Sequence, residues 1–326
     1  MVFTMNIEEL TEKVLNGYEV TKQDALKLVE VPLEQLATNA NRIRKHFCQN
    51  RFDVCTIINV KSGDCSEDCK FCAQSIHYPT KIEKYPLLTT KDLIEKTQQI
   101  YTSGFRRVSY VASGRTITDD EFDTFKDAIT QLKNKHEDIK ICVSLGLLTE
   151  NWIAQLEDIG VDRIHNNLET SSSYFKEICT THTYREKLDT LELINNDSLK
   201  ICSGGIFGLG ESFEDRIDLA LKLKKYNIKS IPINVLNPIE NTPFENKQVL
   251  SNDEVCRIVA IFRFINPDSF IRMAGGRLLL EDNGRKAFMS GSNAAILGNM
   301  LTIRGVSYHD DLMMIDELGY DITYLI

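Results

Sequence analysis

Three cysteines stand close together in Cys65-Ser-Glu-Asp-Cys69-Lys-Phe-Cys72, a C-x3-C-x2-C set. Thiolates at this spacing can wrap one face of a cubane iron–sulfur cluster and leave its fourth iron without a protein ligand. An open coordination position is what lets a substrate bind a metal directly. The other reading is a zinc knuckle. Structural zinc wants four ligands, usually as two separated pairs, and the next His or Cys along the chain is His77. The chain carries nine cysteines, at positions 48, 55, 65, 69, 72, 142, 179, 202 and 256. An odd count without a secretory signal fits a reducing compartment, where clustered cysteines more often serve metals or catalysis than disulfides.

A second set of chemistry-bearing residues lies within short β-branched runs: Val54–Val60, Arg107–Ala112, Lys140–Leu145, Arg163–Leu168, Lys200–Phe207, Ser230–Leu236, Phe270–Ala274 and Ala294–Leu297. Amphipathic stretches alternate with them, at Thr90–Ser103, Asp119–Lys135, Glu150–Ile159, Tyr184–Asn195, Glu211–Tyr226 and Ser251–Ile265. Several open on caps, such as Thr89 with Asp92 and Thr118 with Glu121. Eight strand-plus-helix units predict an α/β (βα)8 barrel, TIM-type, over residues 51–300. A helical N-terminal extension would occupy 1–50, and 301–326 a C-terminal segment packing on the barrel. A doubly wound open sheet is the competing architecture, but no Gly-rich dinucleotide fingerprint follows any strand.

A barrel demands that reactive residues point inward at one parity per strand. Cys55, Ile57 and Asn59 share a parity, as do Arg107, Ser109 and Val111, Cys142 and Ser144, and Arg163, His165, Asn167 and Glu169. Cys202, Asn234 and Arg272 come from later strands. A barrel of this size is normally filled with Val, Ile and Leu. So polar and sulfur-rich an interior predicts a deep cofactor or substrate cavity, and Arg107 and Arg163 need an anionic partner there. His46, His77, His136, His182 and His309 read as surface or packing residues, and Cys48, Cys179 and Cys256 as structural.

Composition sets outer limits. The 326 residues carry 38 Lys+Arg against 47 Asp+Glu, a net charge of −9, which argues against general affinity for nucleic acid or anionic membranes. No apolar run approaches the ~20 residues of a membrane span, and the N-terminal stretch has acids where a signal peptide has bases, so a cytoplasmic protein is expected.

The cysteine spacing, with Phe71 before the third cysteine, resembles the radical S-adenosylmethionine superfamily. Within it the chain resembles the biotin synthase family, through Lys61-Ser-Gly-Asp-Cys65, Ala73-Gln74-Ser75, Leu168-Glu169-Thr170-Ser171, Thr180-Thr-His-Thr-Tyr184, Cys202-Ser-Gly-Gly-Ile206, Ser230-Ile-Pro-Ile-Asn234 and Ile271-Arg272-Met-Ala-Gly-Gly-Arg277. The resemblance implies a sulfurtransferase that converts dethiobiotin to biotin. It implies a [4Fe–4S] cluster on Cys65, Cys69 and Cys72, with S-adenosylmethionine near Phe71, Asn167 and Glu169. It also implies an auxiliary [2Fe–2S] or variant cluster on Cys142, Cys202 and Arg272, a flavodoxin or ferredoxin as electron donor, and a homodimer.

Ser109 and His165 depart from the family pattern, and Cys55 stands where some members have a small polar residue. The fourth auxiliary ligand, a cysteine in the family, is Ser109 here, and a serine oxygen is a harder, far less acidic donor. Cys55 then either supplies the missing thiolate or is a buried core cysteine. His165 stands where the family presents an asparagine to the ureido ring, beside a matching Asn234. Both favour a second reading, a superfamily enzyme acting on another small metabolite without sulfur insertion. A third, an iron–sulfur or zinc protein without enzymatic activity, is disfavoured by the barrel length and the inward polar set.

Overall fold

A computed structural model of the chain describes residues 6–194 and 199–322. Three helices come first, α1 (Ile7–Leu15), α2 (Lys22–Leu28) and α3 (Leu33–Cys48). Strands and helices then alternate: β1 (Asp53–Lys61), α4 (Thr90–Thr102), β2 (Arg107–Ala112), α5 (Asp119–Lys135), β3 (Lys140–Ser144), α6 (Glu150–Asp158), β4 (Arg163–His165) and α7 (Tyr184–Ile194). They continue with β5 (Lys200–Cys202), β6 (Gly205–Phe207), α8 (Phe213–Lys225), β7 (Ser230–Val235), α9 (Asn252–Ile265), β8 (Phe270–Met273), α10 (Arg285–Met289), β9 (Ala294–Leu297) and α11 (Tyr308–Glu317). The predicted end of α7 at Asn195 lies outside the described residues.

Every strand pairing is parallel, in the order β5-β4-β3-β2-β1-β9-β8-β7-β6, and Cys202 against Ser230 joins β5 to β7. The sheet therefore closes into a barrel, which excludes the open doubly wound alternative. The fifth barrel position, read from sequence as one run over Lys200–Phe207, is two short strands broken at Ser203–Gly204. The break is made by packing: a Cβ on Gly204 would lie 2.0 Å from the Pro232 carbonyl oxygen, so only glycine fits beneath β7. The fourth strand also ends earlier than Leu168, because the side chain of Asn167 takes over the bond to Gly204 N.

The inward–outward alternation sorts the chemistry. On β1 and β2, Ile58, Val60, Val108 and Tyr110 face out and pack with Leu93, Phe122, Phe125 and Ile129 of α4 and α5. The odd-numbered partners face the barrel interior. A second apolar layer joins α3, α8 and α9 to the other strands. Among the described helices none is long and apolar enough to cross a membrane.

Asp215 links the loop after β4 to α8. It completes a capping box with Ser212 and accepts from Ser171 Oγ at 2.6 Å and Ser173 Oγ at 2.9 Å. Burial alone would raise its pKa, but the bonds from Ser171 and Ser212 outweigh it and hold the carboxyl near 2. The folded value lies below the unfolded 3.8, so this stabilisation is complete above pH 3.8 and is lost as pH falls through 2. Asp215→Asn is expected to flatten the stability–pH slope in that interval, read by urea unfolding at several pH values; an unchanged slope would contradict the assignment.

Candidate active site

The predicted site residues other than Cys65 and Cys69 meet in one cavity of about 370 Å3 running down the barrel, and those two stand in the loop beside Cys72 at its mouth. Phe71, Cys72, Asn167, Glu169 and Asn234 line its upper part with Met300–Ile303, the stretch that follows β9. Cys55, Ser109, Cys142, His165, Cys202 and Arg272 line it deeper in.

Two neighbours account for the loop at the mouth. Cys65 is bridged to Ser75 in a short parallel pair, and the amide of Cys72 donates to the Cys69 carbonyl at 2.9 Å. Burial pushes the Cys65 thiol up and the Cys72 thiol to about 11, and a charge on Cys65 adds to the rise at Cys72. Three neighbouring thiols, Cys65 buried and Cys69 and Cys72 half-buried, are a soft donor set suited to a multiply charged cation or cluster. The segment after β4 clamps this loop from outside. Asp68 accepts from the amides of Thr180 at 2.8 Å and Thr181 at 3.2 Å, and Lys70 N donates to the Ile178 carbonyl. Glu67, buried, meets His182 Nδ1 at 2.5 Å and Thr181 Oγ1 at 2.8 Å. Cys179 and His182, read from sequence as structural and packing residues, thus stand directly against the cysteine loop.

Below the mouth, Asn167 donates to Glu169 Oε2 at 3.3 Å while its Oδ1 accepts from Gly204 N at 2.9 Å. Glu169 holds a φ of 67°, a left-handed conformation uncommon for a non-glycine residue and found more often at functional sites. Burial pushes its carboxyl up, opposed by Lys187 and His165. Asn234 spans two strand ends, donating to Gly205 O and accepting from Gly275 N, both at 3.0 Å. An amide has two donors and two lone pairs, so one of each remains for a ligand. Burial lowers the pKa of His165 to about 4, leaving a neutral imidazole at the cavity wall.

The floor is ionic. Asp53, buried at the start of β1, is met by Arg107 Nε and Arg163 Nη1 at 3.3 Å each and, in the tightest pair, by Arg272 Nη2. Burial would raise the Asp53 pKa, but the three guanidinium groups, Arg272 foremost, hold it well below the usual carboxylate range. One aspartate against three arginines leaves two positive charges in excess beneath the cysteines. Arg107 Nη1 approaches Cys142 Sγ at 3.9 Å, and Arg163 Nε, buried, has no partner among the described residues. The Cys142 thiol is drawn down, first by its hydrogen bond with Cys55 and then by Arg107 and Arg163; Cys55 is pushed up by the same bond and by burial. Cys202 Sγ lies 3.3 Å from Ser230 Oγ. Arg272 also donates to the carbonyls of Asp53 at 3.0 Å and Ala295 at 2.9 Å. The buried sulfurs over an electropositive floor fit an anionic, thiolate-ligated cluster. Asp53 lies one residue before the strand that the sequence predicts over Val54–Val60, and its parity with Cys55 is the signal in the sequence that marks it.

A radical S-adenosylmethionine superfamily model matches residues 59–223, and the biotin and thiamin synthesis associated domain matches 232–321. A biotin synthase of Brachyspira hyodysenteriae is 51% identical over 318 residues, covering 98% of this chain and 95% of that protein. One from Akkermansia muciniphila is 47% identical, covering 96% and 97%. The chain belongs to the biotin synthase family. Among solved structures, methylornithine synthase superposes with a TM-score of 0.83 at 19% identity, covering 97% of this chain and 98% of the other. A maturase of the [FeFe]-hydrogenase gives 0.82 at 17%, covering 98% and 75%. At such identities these two show the barrel fold alone.

Proposed function

We propose that the chain inserts sulfur into dethiobiotin to make biotin, the last step of biotin synthesis. The observation that carries this reading is the single cavity joining the cysteine loop, the Asn167–Glu169 pair and a buried sulfur set over an arginine floor. Cys65, Cys69 and Cys72 would hold a [4Fe–4S] cluster, and Cys142, Cys202 and Arg272 an auxiliary [2Fe–2S] or variant cluster with Cys55 replacing Ser109. When bound, these groups supply reductive cleavage of S-adenosylmethionine and the inserted sulfur atom.

The chain's own residues bind, orient and exclude. Glu169, set by Asn167, accepts ribose hydroxyls, and Phe71 packs at the cysteine loop. Asn234 offers its remaining N–H and lone pair to the ureido ring, while neutral His165 offers one donor or one acceptor. The closed barrel wall keeps water and oxygen from a reactive carbon radical. The extension over 1–50, the barrel over 51–300 and the closing segment over 301–326 belong to the same proposal, as do a cytoplasmic homodimer and a flavodoxin or ferredoxin donor.

A second reading, the same radical chemistry on another small metabolite, is favoured by His165. The test is anaerobic incubation with S-adenosylmethionine, strong reductant and dethiobiotin. Biotin formed with 5′-deoxyadenosine is expected; deoxyadenosine without biotin would favour the second reading, and neither product would remove the radical class.

A further inference from the structure

Two residues that the proposed reaction leaves unused form a metal-shaped group with one that it uses. Sγ of Cys69, Sγ of Cys179 and a ring nitrogen of His182 lie within 4.8 Å of one another. Sulfur at about 2.3 Å and nitrogen at about 2.1 Å from a tetrahedral ion sit about 3.5–3.8 Å apart. Cys179 Sγ is 3.2 Å from His182 Nδ1 and 4.0 Å from Nε2, so Nδ1 is the ring nitrogen that faces the sulfur, and closing on an ion through it takes a shift of a few tenths of an ångström.

The support around the group is that of a metal ligand. Glu67 is buried and its Oε2 meets Nδ1 of His182 at 2.5 Å. The nitrogen that faces Cys179 is the one Glu67 holds, so the ion takes the place of the proton they share, and the carboxylate keeps the ring in position and stays beside the ion as an oxygen donor. Glu67 is itself held by Thr181 Oγ1 at 2.8 Å. Asp68 Oδ1 lies 3.2 Å from Cys179 Sγ and offers an oxygen on the same side. Cys179 and His182 are spaced as C-x2-H, and Asp68 fastens the turn between them through the amides of Thr180 and Thr181.

We propose that, before its iron–sulfur cluster is inserted, the chain binds one soft divalent cation, ferrous iron or zinc, through Cys69, Cys179 and His182. The ion ties the cysteine loop to the 178–182 turn while the cluster is absent. Because Cys69 serves both, the ion and the [4Fe–4S] cluster exclude each other; this clause alone rests on the cluster assignment of Cys69.

The test titrates cobalt(II) into cluster-free protein stripped by chelator without oxygen. One equivalent should give thiolate-to-cobalt charge-transfer absorption with the visible bands of a tetrahedral site. Cys179→Ser and His182→Gln should each weaken binding by more than about 100-fold, and Glu67→Gln by about 10–100-fold, as for the loss of a ligand-orienting carboxylate. The paired Cys65→Ser and Cys72→Ser variant should bind as the parent does. X-ray absorption of the zinc-loaded parent should give two sulfur ligands and at least one nitrogen, which holds the test open if a variant fails to fold. A signal that survives in Cys179→Ser and His182→Gln but disappears with Cys65 and Cys72, or a three-sulfur zinc shell, would overturn the site. Cobalt bound equally well by the cluster-loaded enzyme would instead overturn the cluster role of Cys69 and leave the cation site standing.

Discussion

Asp53→Asn is expected to cost the cluster-free protein about 3–5 kcal/mol, the loss seen when one member of a buried ion pair is removed and the other charge stays behind. Here three guanidinium groups would stay behind, all at the barrel floor, and Arg272 and Arg163 are each less than a tenth exposed. Asparagine keeps the shape and can still accept one hydrogen bond, so the loss reports charge and not volume. Urea unfolding of parent and variant measures it. A change no larger than the about 0.5 kcal/mol of an ordinary surface substitution would mean that solvent, and not Asp53, balances the arginines.

The second large effect is on turnover. Cys55→Ala is expected to cut biotin formation by more than about 100-fold, since even the loss of a residue orienting a metal ligand costs about 10–100-fold. Formation of 5′-deoxyadenosine should continue, because the Cys65–Cys72 loop follows the end of β1 while Cys55 lies near the start of that strand. Ser109→Ala, by contrast, should leave both products close to the parent's. Equal losses in the two variants, or none in Cys55→Ala, would return Cys55 to an ordinary core cysteine. Its environment already distinguishes it: Cys55 lines the cavity with Ser109 and Cys142, which pair in register across β2 and β3, and the charges of Arg107 and Arg272 act on its thiol.

The parts legible in the sequence were those fixed by local periodicity. β-Branched runs separated by capped amphipathic stretches gave the strands, and parity on those strands placed Cys55, Ser109, Cys142, His165 and Cys202 on one wall. What stayed hidden depends on contacts across the fold. Gly204 breaks the fifth strand because Pro232 crosses it. Asp53 gains its meaning from arginines 54, 110 and 219 residues away, and an acid at a strand edge otherwise reads as a solvated terminus. Cys179 and His182 carry a ligand-like spacing, yet with one thiol and one imidazole they are half a site until the fold sets Cys69 beside them. The barrel is thus written in the order of residue types, and the electrostatics of its floor and mouth in their long-range pairing.

Two iron–sulfur sites in one cavity, the deeper one held by Cys55 in place of Ser109, form the centre of this account. Iron and sulfide counting after anaerobic reconstitution tests it directly, in protein where Cys65, Cys69 and Cys72 are all alanine so that only the deep site can load. This protein is expected still to hold iron and sulfide, with neither changed by adding Ser109→Ala and both removed by adding Cys55→Ala. Iron retained without Cys55 and lost without Ser109 would contradict this.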